Sequence, residues 1–196
     1  MDAYRTIDQP AEGTFRDRNS RFLAFGNPVT SVNEALEILE VLRKKYHDAR
    51  HHCYAYRIGV ESEQTRMNDD GEPSGTAGKP IYNQILSHGV TNVLVVVVRY
   101  FGGTLLGTGG LINAYKSATA DMFEHAAITE RFIEQTIELK FPYEKLNSIM
   151  RILKDENLVP EHPVYEMDCS MQLHVRKGSY DKVIQKLSAL GDIHIK

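Results

Sequence analysis

The chain has 196 residues, 42% of them hydrophobic and 25% charged, with a net charge of −3. That balance fits a folded globular chain and excludes a global electrostatic attraction to nucleic acid. The longest apolar run, Val93 to Val98, is far too short to cross a bilayer. The first residues carry Asp2 and Arg5 instead of an apolar signal core, and Cys53 and Cys169 form no disulfide framework, so a cytoplasmic, membrane-free protein is expected.

Residues 1–14 are polar and read as extended chain. Ser20 to Phe25 reads as a strand closed by the turn residues Gly26-Asn27-Pro28. Ser31-Val32-Asn33-Glu34 matches a capping box, in which Ser31 accepts from the third helical N–H and Glu34 reaches back. Leu36, Leu39, Leu42 and Tyr46, widened by Ile38, give the following helix one apolar face.

His51-His52-Cys53 opens a strand running to Val60. Neighbours in a strand point to opposite faces, and no second ligand pair accompanies the two histidines, so no metal site is assigned there. Asp69-Asp70-Gly71-Glu72 lacks the alternating ligands of a calcium loop. Its acids fit a hydrated Mg²⁺ at Asp69 and Asp70, an acid–base pair, or a turn whose carboxylates cap its own backbone N–H groups; the turn or a partner contact is the favoured reading. Gly78-Lys79 fails as a phosphate loop, because Pro73 and Pro80 stand where that motif needs glycine and Ser or Thr. Pro80 instead suits the first turn of a helix with Ile81, Ile85 and Leu86 on its apolar side.

Val93 to Val98 is apolar on both faces, the mark of a central strand covered on both sides. Arg99 and Tyr100 are expected to emerge at its end. Gly107-Thr108-Gly109-Gly110 then leads into a helix with Leu111, Tyr115, Ala118 and Met122 on one face. Ile112 replaces the third glycine of a dinucleotide loop. The glycines either bind an anion at the helix start or, with Ala114, Ser117, Ala118 and Ala120, allow close packing, the favoured reading. Eight of the 14 glycines (71, 75, 78, 102, 103, 107, 109 and 110) lie in these two loops.

Residues 126–131 read as a domain boundary. Beyond it come an alternating strand with Ile133, Ile137, Leu139 and Phe141, then a helix from Pro142 with Tyr143, Leu146, Ile149, Met150 and Leu153. A short strand at Leu158-Val159 and a turn at His162-Pro163 follow. A strand from Tyr165 to Val175, a helix with Tyr180, Val183, Ile184, Leu187 and Leu190, and a last strand with Ile193 and Ile195 complete the order β-α-β-β-α-β, the ferredoxin-like signature.

The run from Asp69 to Pro80, the Val98-Arg99-Tyr100-Phe101-Gly102-Gly103 segment and the Leu106-Gly107-Thr108-Gly109-Gly110-Leu111 segment closely resemble the IMPACT family in its bacterial two-domain, YigZ-type form. Ser20-Arg21-Phe22 and Ala49-Arg50-His51-His52-Cys53 fit its earlier motifs. The resemblance spans the whole chain and implies an α+β protein of two domains. Residues 1–129 would be similar to the second domain of a small-subunit ribosomal protein, an α/β sandwich with helices on one face of a sheet. Residues 130–196 would be similar to domain V of elongation factor G. Eukaryotic relatives act in translational control by binding the ribosome-associated activator of a starvation-sensing kinase. They carry an extra N-terminal domain for protein binding, so that kinase-restraining role is not carried over.

The resulting expectation is a non-enzymatic, ribosome-associated regulator or accessory factor of translation that binds RNA or a translation-associated protein. Its binding surface would comprise Asp69, Asp70, Glu72, Ser74, Lys79, Arg99, Tyr100, Gly102, Gly103, Gly109 and Gly110. Arg99 would meet a phosphate or carboxylate, Tyr100 would stack on a base, the glycines would admit close approach, and the acids would order the loop or pair with Arg99 and Lys79. No catalytic residue is assigned, and no cofactor beyond the Mg²⁺ reading. The alternatives are an enzyme acting on a phosphorylated small molecule or nucleotide, and a pure protein-interaction module.

Overall fold

A computed structural model describes residues 2–196, which divide into two compact units, Tyr4–Arg131 and Phe132–Lys196, the second including residues 2–3. The division falls at 131/132, at the end of the segment 126–131 expected as a domain boundary and two residues after the expected division at 129/130. That segment is instead largely a strand.

The first unit contains β1 (Ala3–Ile7), β2 (Ala11–Asp17), β3 (Ser20–Pro28), α1 (Val32–Lys45), β4 (His51–Ile58), β5 (Gln64–Asn68), α2 (Gly78–Ser87), β6 (Val93–Tyr100), α3 (Gly107–His125) and β7 (Ile128–Phe132), apart from the end residues Ala3 and Phe132. β1 pairs with β7, while the main sheet has the order β2-β3-β6-β4-β5 with every neighbour antiparallel. β6 is its central strand, as the two-faced apolar run requires. Val93, Val95 and Val97 pack into a core shared with α2 and α3. Leu94, Val96 and Val98 pack on the opposite face into a core shared with α1. Helices therefore cover both faces of the sheet, which corrects the expectation of helices on one face. The reason lies in β6 itself: six consecutive apolar side chains alternate between faces, and each face needs a cover.

Local chemistry sets the helix positions. Ser31 Oγ accepts from Glu34 N at 3.2 Å, as expected of a cap. The Glu34 carboxylate reaches past Ser31 to Thr30 N at 2.7 Å. Ala35, Leu39 and Leu42 form the buried stripe of α1, and Leu36 is exposed. α3 lies close against β2 because Gly13 has no Cβ; one added there would sit 2.2 Å from Met122 N.

The second unit contains β8 (Glu134–Pro142), α4 (Leu146–Asp155), β9 (Pro160–Val164), β10 (Asp168–Arg176), α5 (Tyr180–Ser188) and β11 (His194–Ile195). Its antiparallel sheet has the order β11-β8-β10-β9, the ferredoxin-like arrangement read from the element order. Ile137, Leu139, Phe141, Leu173 and Val175 pack with Ile149, Leu153, Val183 and Leu187 of the two helices. The strand expected at Leu158-Val159 lies later and includes His162-Pro163. β9 is an edge strand, where a proline's missing N–H breaks no ladder bond. Among the described residues no helix is long and apolar enough to cross a membrane.

Candidate functional site

The acidic loop between β5 and α2 is built from within. Asn68 Oδ1 accepts from Asp70 N at 2.7 Å, and left-handed backbone at Asp70 and Gly71 (φ 41° and 86°) turns the chain. Asp69 Oδ1 then accepts from Ala77 N at 2.9 Å and Gly78 N at 2.8 Å, and Oδ2 from Gly75 N at 2.9 Å. Ala77 has no capping side chain of its own, so Asp69 supplies the anion that the start of α2 favours. Burial pushes the Asp69 carboxyl upward, but the three N–H bonds outweigh it and hold the pKa below the ordinary 3.8. Asp70 faces a different element: its Oδ2 accepts from His52 N at 2.7 Å, and its Oδ1 lies 3.5 Å from Arg43 Nη2. Internal donors thus engage the two carboxylates separately.

Glu72 turns inward. Its Oε1 accepts from Arg99 Nη1 at 2.6 Å and from the Tyr115 hydroxyl at 2.8 Å. Cys53 Sγ lies 3.2 Å from that hydroxyl and 3.0 Å from Asp69 O. Burial pushes the pKa of both the Cys53 thiol and the Tyr115 hydroxyl up, keeping both protonated as donors. Arg99 is only 5% exposed and sits 5.5 Å from the ring centres of Phe22 and Phe101. Its Nε is buried without a partner. This ion pair joins β6, the acidic loop and α3, so Arg99 and Glu72 are internal and do not belong to the expected binding surface. The expectation that the acids order the loop or pair with Arg99 and Lys79 describes them in its Arg99 part, while Lys79 makes no ion pair among the described residues.

Tyr100 follows Arg99 in β6 and so faces the other side of the sheet. There its hydroxyl donates to Asp48 Oδ1 at 2.8 Å, and Arg21 lies over its ring at 4.9 Å. Strand alternation separates the two residues that the expected surface placed together.

The loop after β6 is open by contrast. Gly102 is packed down: its N–H donates to Ser20 Oγ at 3.1 Å, and a Cβ would strike the backbone of Asn19 and Ser20; at Gly110 a Cβ would meet only the Leu106 side chain, at 2.9 Å. Gly103 and Gly107 adopt φ of 85° and 71°, with nothing within 4 Å of an added Cβ. Phe101, Leu105 and Ile112 are 46%, 81% and 42% exposed. Leu106, before α3, makes no side-chain cap, and the first turn of α3 carries no acid. Ser74 and Lys79 are also exposed.

A groove of about 410 Å³ lies between α2 and α3, lined by Gly75, Lys79, Pro80, Asn83, Gln84, Ile112 and Lys116. Of these, sequence reasoning singled out only Lys79 as a binding residue. Lys116 follows Ile112 by one helical turn, a spacing that could have flagged it. Tyr115 was legible as a core residue but not as the hydroxyl that anchors Glu72. Among the described residues no group of three or more His, Cys, Asp or Glu side chains is placed to hold a metal ion.

The Impact N-terminal domain model matches residues 18–123, which hold both loops and the buried ion pair. The chain belongs to the IMPACT family. The IMPACT family member YvyE of Bacillus subtilis is 30% identical over 177 residues, covering 90% of this chain and 82% of YvyE. YigZ of Escherichia coli is 38% identical over 138 residues, covering 69% and 68% of the two chains. A crystal structure described as that of a hypothetical protein is 29% identical over 100% of this chain and 97% of its own, with a TM-score of 0.74. The Asp69 cap and the Glu72–Arg99 pair therefore lie in the segment that the family description covers.

Proposed function

We propose that this IMPACT family protein is an accessory factor of translation that binds RNA or a ribosome-associated protein through the face formed by the loop after β6 and the start of α3. One observation carries the reading: the ionisable groups of the acidic loop are consumed internally, while the neighbouring loop leaves Phe101, Leu105 and Ile112 exposed beside glycines with empty space above them. Exposed apolar side chains grouped on one face are what a docking surface needs. Lys79 and Lys116 flank this face, and neither has an ion-pair partner among the described residues. Family membership supplies the link to translation.

Co-sedimentation with ribosomes at graded salt tests the reading. Loss of pelleting in Lys79→Ala/Lys116→Ala, with a steep salt dependence in the wild type, would identify an RNA contact. Loss in Leu105→Asp with little salt dependence would identify a protein contact. A wild-type protein that stays in the supernatant even at low salt overturns the proposal. Arg99→Ala is unsuited to this purpose, because it strikes the interior.

A further inference from the structure

Of the residues lining the groove between α2 and α3, Gly75 is tied into the acidic loop through Asp69, while the side chains of Lys79, Ile112 and Lys116 are exposed. Lys79 and Asn83 stand one turn apart on α2, facing Ile112 and Lys116, one turn apart on α3. Its volume of about 410 Å³ falls within the range of small-molecule sites. Two ammonium groups without ion-pair partners among the described residues bring two positive charges to it. Asn83 and Gln84 add amide donors and acceptors, and Pro80 and Ile112 an apolar side.

Gly109 lies three residues before Ile112 and seven before Lys116, on the same stripe of α3. Its φ is not left-handed, and an added Cβ would meet nothing within 4 Å. Neither a close neighbour nor a left-handed φ therefore calls for glycine there, and glycine is a poorer helix former than alanine. The first turn of α3 around it also lacks the carboxylate that Asp69 provides to α2.

We infer that this groove binds the phosphate monoester of a small organic molecule. The phosphate dianion lies between Lys79 and Lys116 beside the bare first turn of α3, close enough to the backbone at Gly109 to exclude a Cβ. The organic body lies against Ile112, within reach of Asn83 and Gln84. Lysines bind phosphate as point charges, and open helix starts favour anions. The site goes beyond the docking role proposed above and does not depend on it.

The test is an amide NMR titration of the full chain with AMP, GMP, ribose phosphate, inorganic phosphate and a short single-stranded RNA. At least one monoester should give saturable shifts at Gly109, Ile112 and Lys116, and bind more tightly than inorganic phosphate. Lys79→Ala and Lys116→Ala should each weaken it by about tenfold, and Lys79→Arg should retain it. Gly109→Ala should raise the melting temperature and still weaken binding, a pairing that a purely structural role does not produce. The inference is overturned if no monoester gives saturable shifts, or if both lysine variants bind as the wild type does. It is equally overturned if inorganic phosphate binds as tightly as every ester, or if only the RNA binds. Ribosome co-sedimentation is read separately, so failure of one proposal leaves the other standing.

Discussion

At the start of α2, three backbone N–H groups end on the Asp69 carboxylate; at the start of α3, the first turn has neither a side-chain cap nor an acid. Both loops are rich in glycine, and both lead into a helix beside the sheet. In the first, the glycines let the chain fold back so that its own acids reach inward. In the second, Gly103, Gly107 and Gly109 face empty space, and apolar side chains stand out from them. The same residue type thus serves closure in one loop and exposure in the other, and the difference comes from where the carboxylates are.

The comparison breaks most severely at Glu72. Glu72→Ala leaves the Arg99 guanidinium buried between two aromatic rings without its counter-ion. Removing one partner of a buried pair costs about 3–5 kcal/mol, a large part of the 5–15 kcal/mol typical of a whole domain. Urea denaturation should show a large loss of stability, and a change below about 1 kcal/mol would mean that the pair does not hold β6, the acidic loop and α3 together. Tyr115→Phe removes one bond from the same carboxylate and should cost less, about 1–2 kcal/mol.

Asp69 comes next. Asp69→Asn keeps the size but loses the charge that three N–H groups share, and should cost about 1–2 kcal/mol. Its folded pKa lies below the ordinary value of 3.8, so the ionised form is favoured in the folded state. The associated stability is full at neutral pH and is lost as pH falls below 3.8 through the lower folded value. Urea midpoints measured from neutral pH down to about pH 3 should therefore fall less steeply in Asp69→Asn than in the wild type. Parallel curves would show that another carboxyl carries the acid limb.

The strand at Val93–Tyr100 was legible because burial on both faces leaves a continuous apolar run. The face of α3 at Leu111, Tyr115, Ala118 and Met122 was legible because each of these residues touches the core. The strand β5 was not, since Gln64-Thr65-Arg66-Met67-Asn68 is an exposed edge with little apolar pattern. β2 was missed partly because Gly13 stands at a buried position where α3 leaves no room for a side chain. Arg99 was misread for a deeper reason. A charged residue ending an apolar strand looks like surface, and its burial depends on Glu72, 27 residues earlier, and on Tyr115 in the next helix. An acid partner for Arg99 was among the sequence expectations, but the burial of the pair and the part of Tyr115 leave no local signal. The legible part of the site was the list of special residues, and the illegible part was which of them face one another.

The finest test of the comparison sets Gly107 against Gly109. Gly107 holds φ of 71°, where an alanine costs about 1–2 kcal/mol. Gly107→Ala should therefore lower stability by about 1 kcal/mol, although an added Cβ has free space. Gly109 has the same free space and no left-handed φ. Gly109→Ala should raise stability by about 0.4–1 kcal/mol. Opposite signs in paired thermal or urea unfolding would separate a glycine that the backbone needs from one that only an approaching molecule explains. Equal losses would show that the fold itself requires Gly109, and the open loop would then be built for its own geometry and not for a visitor.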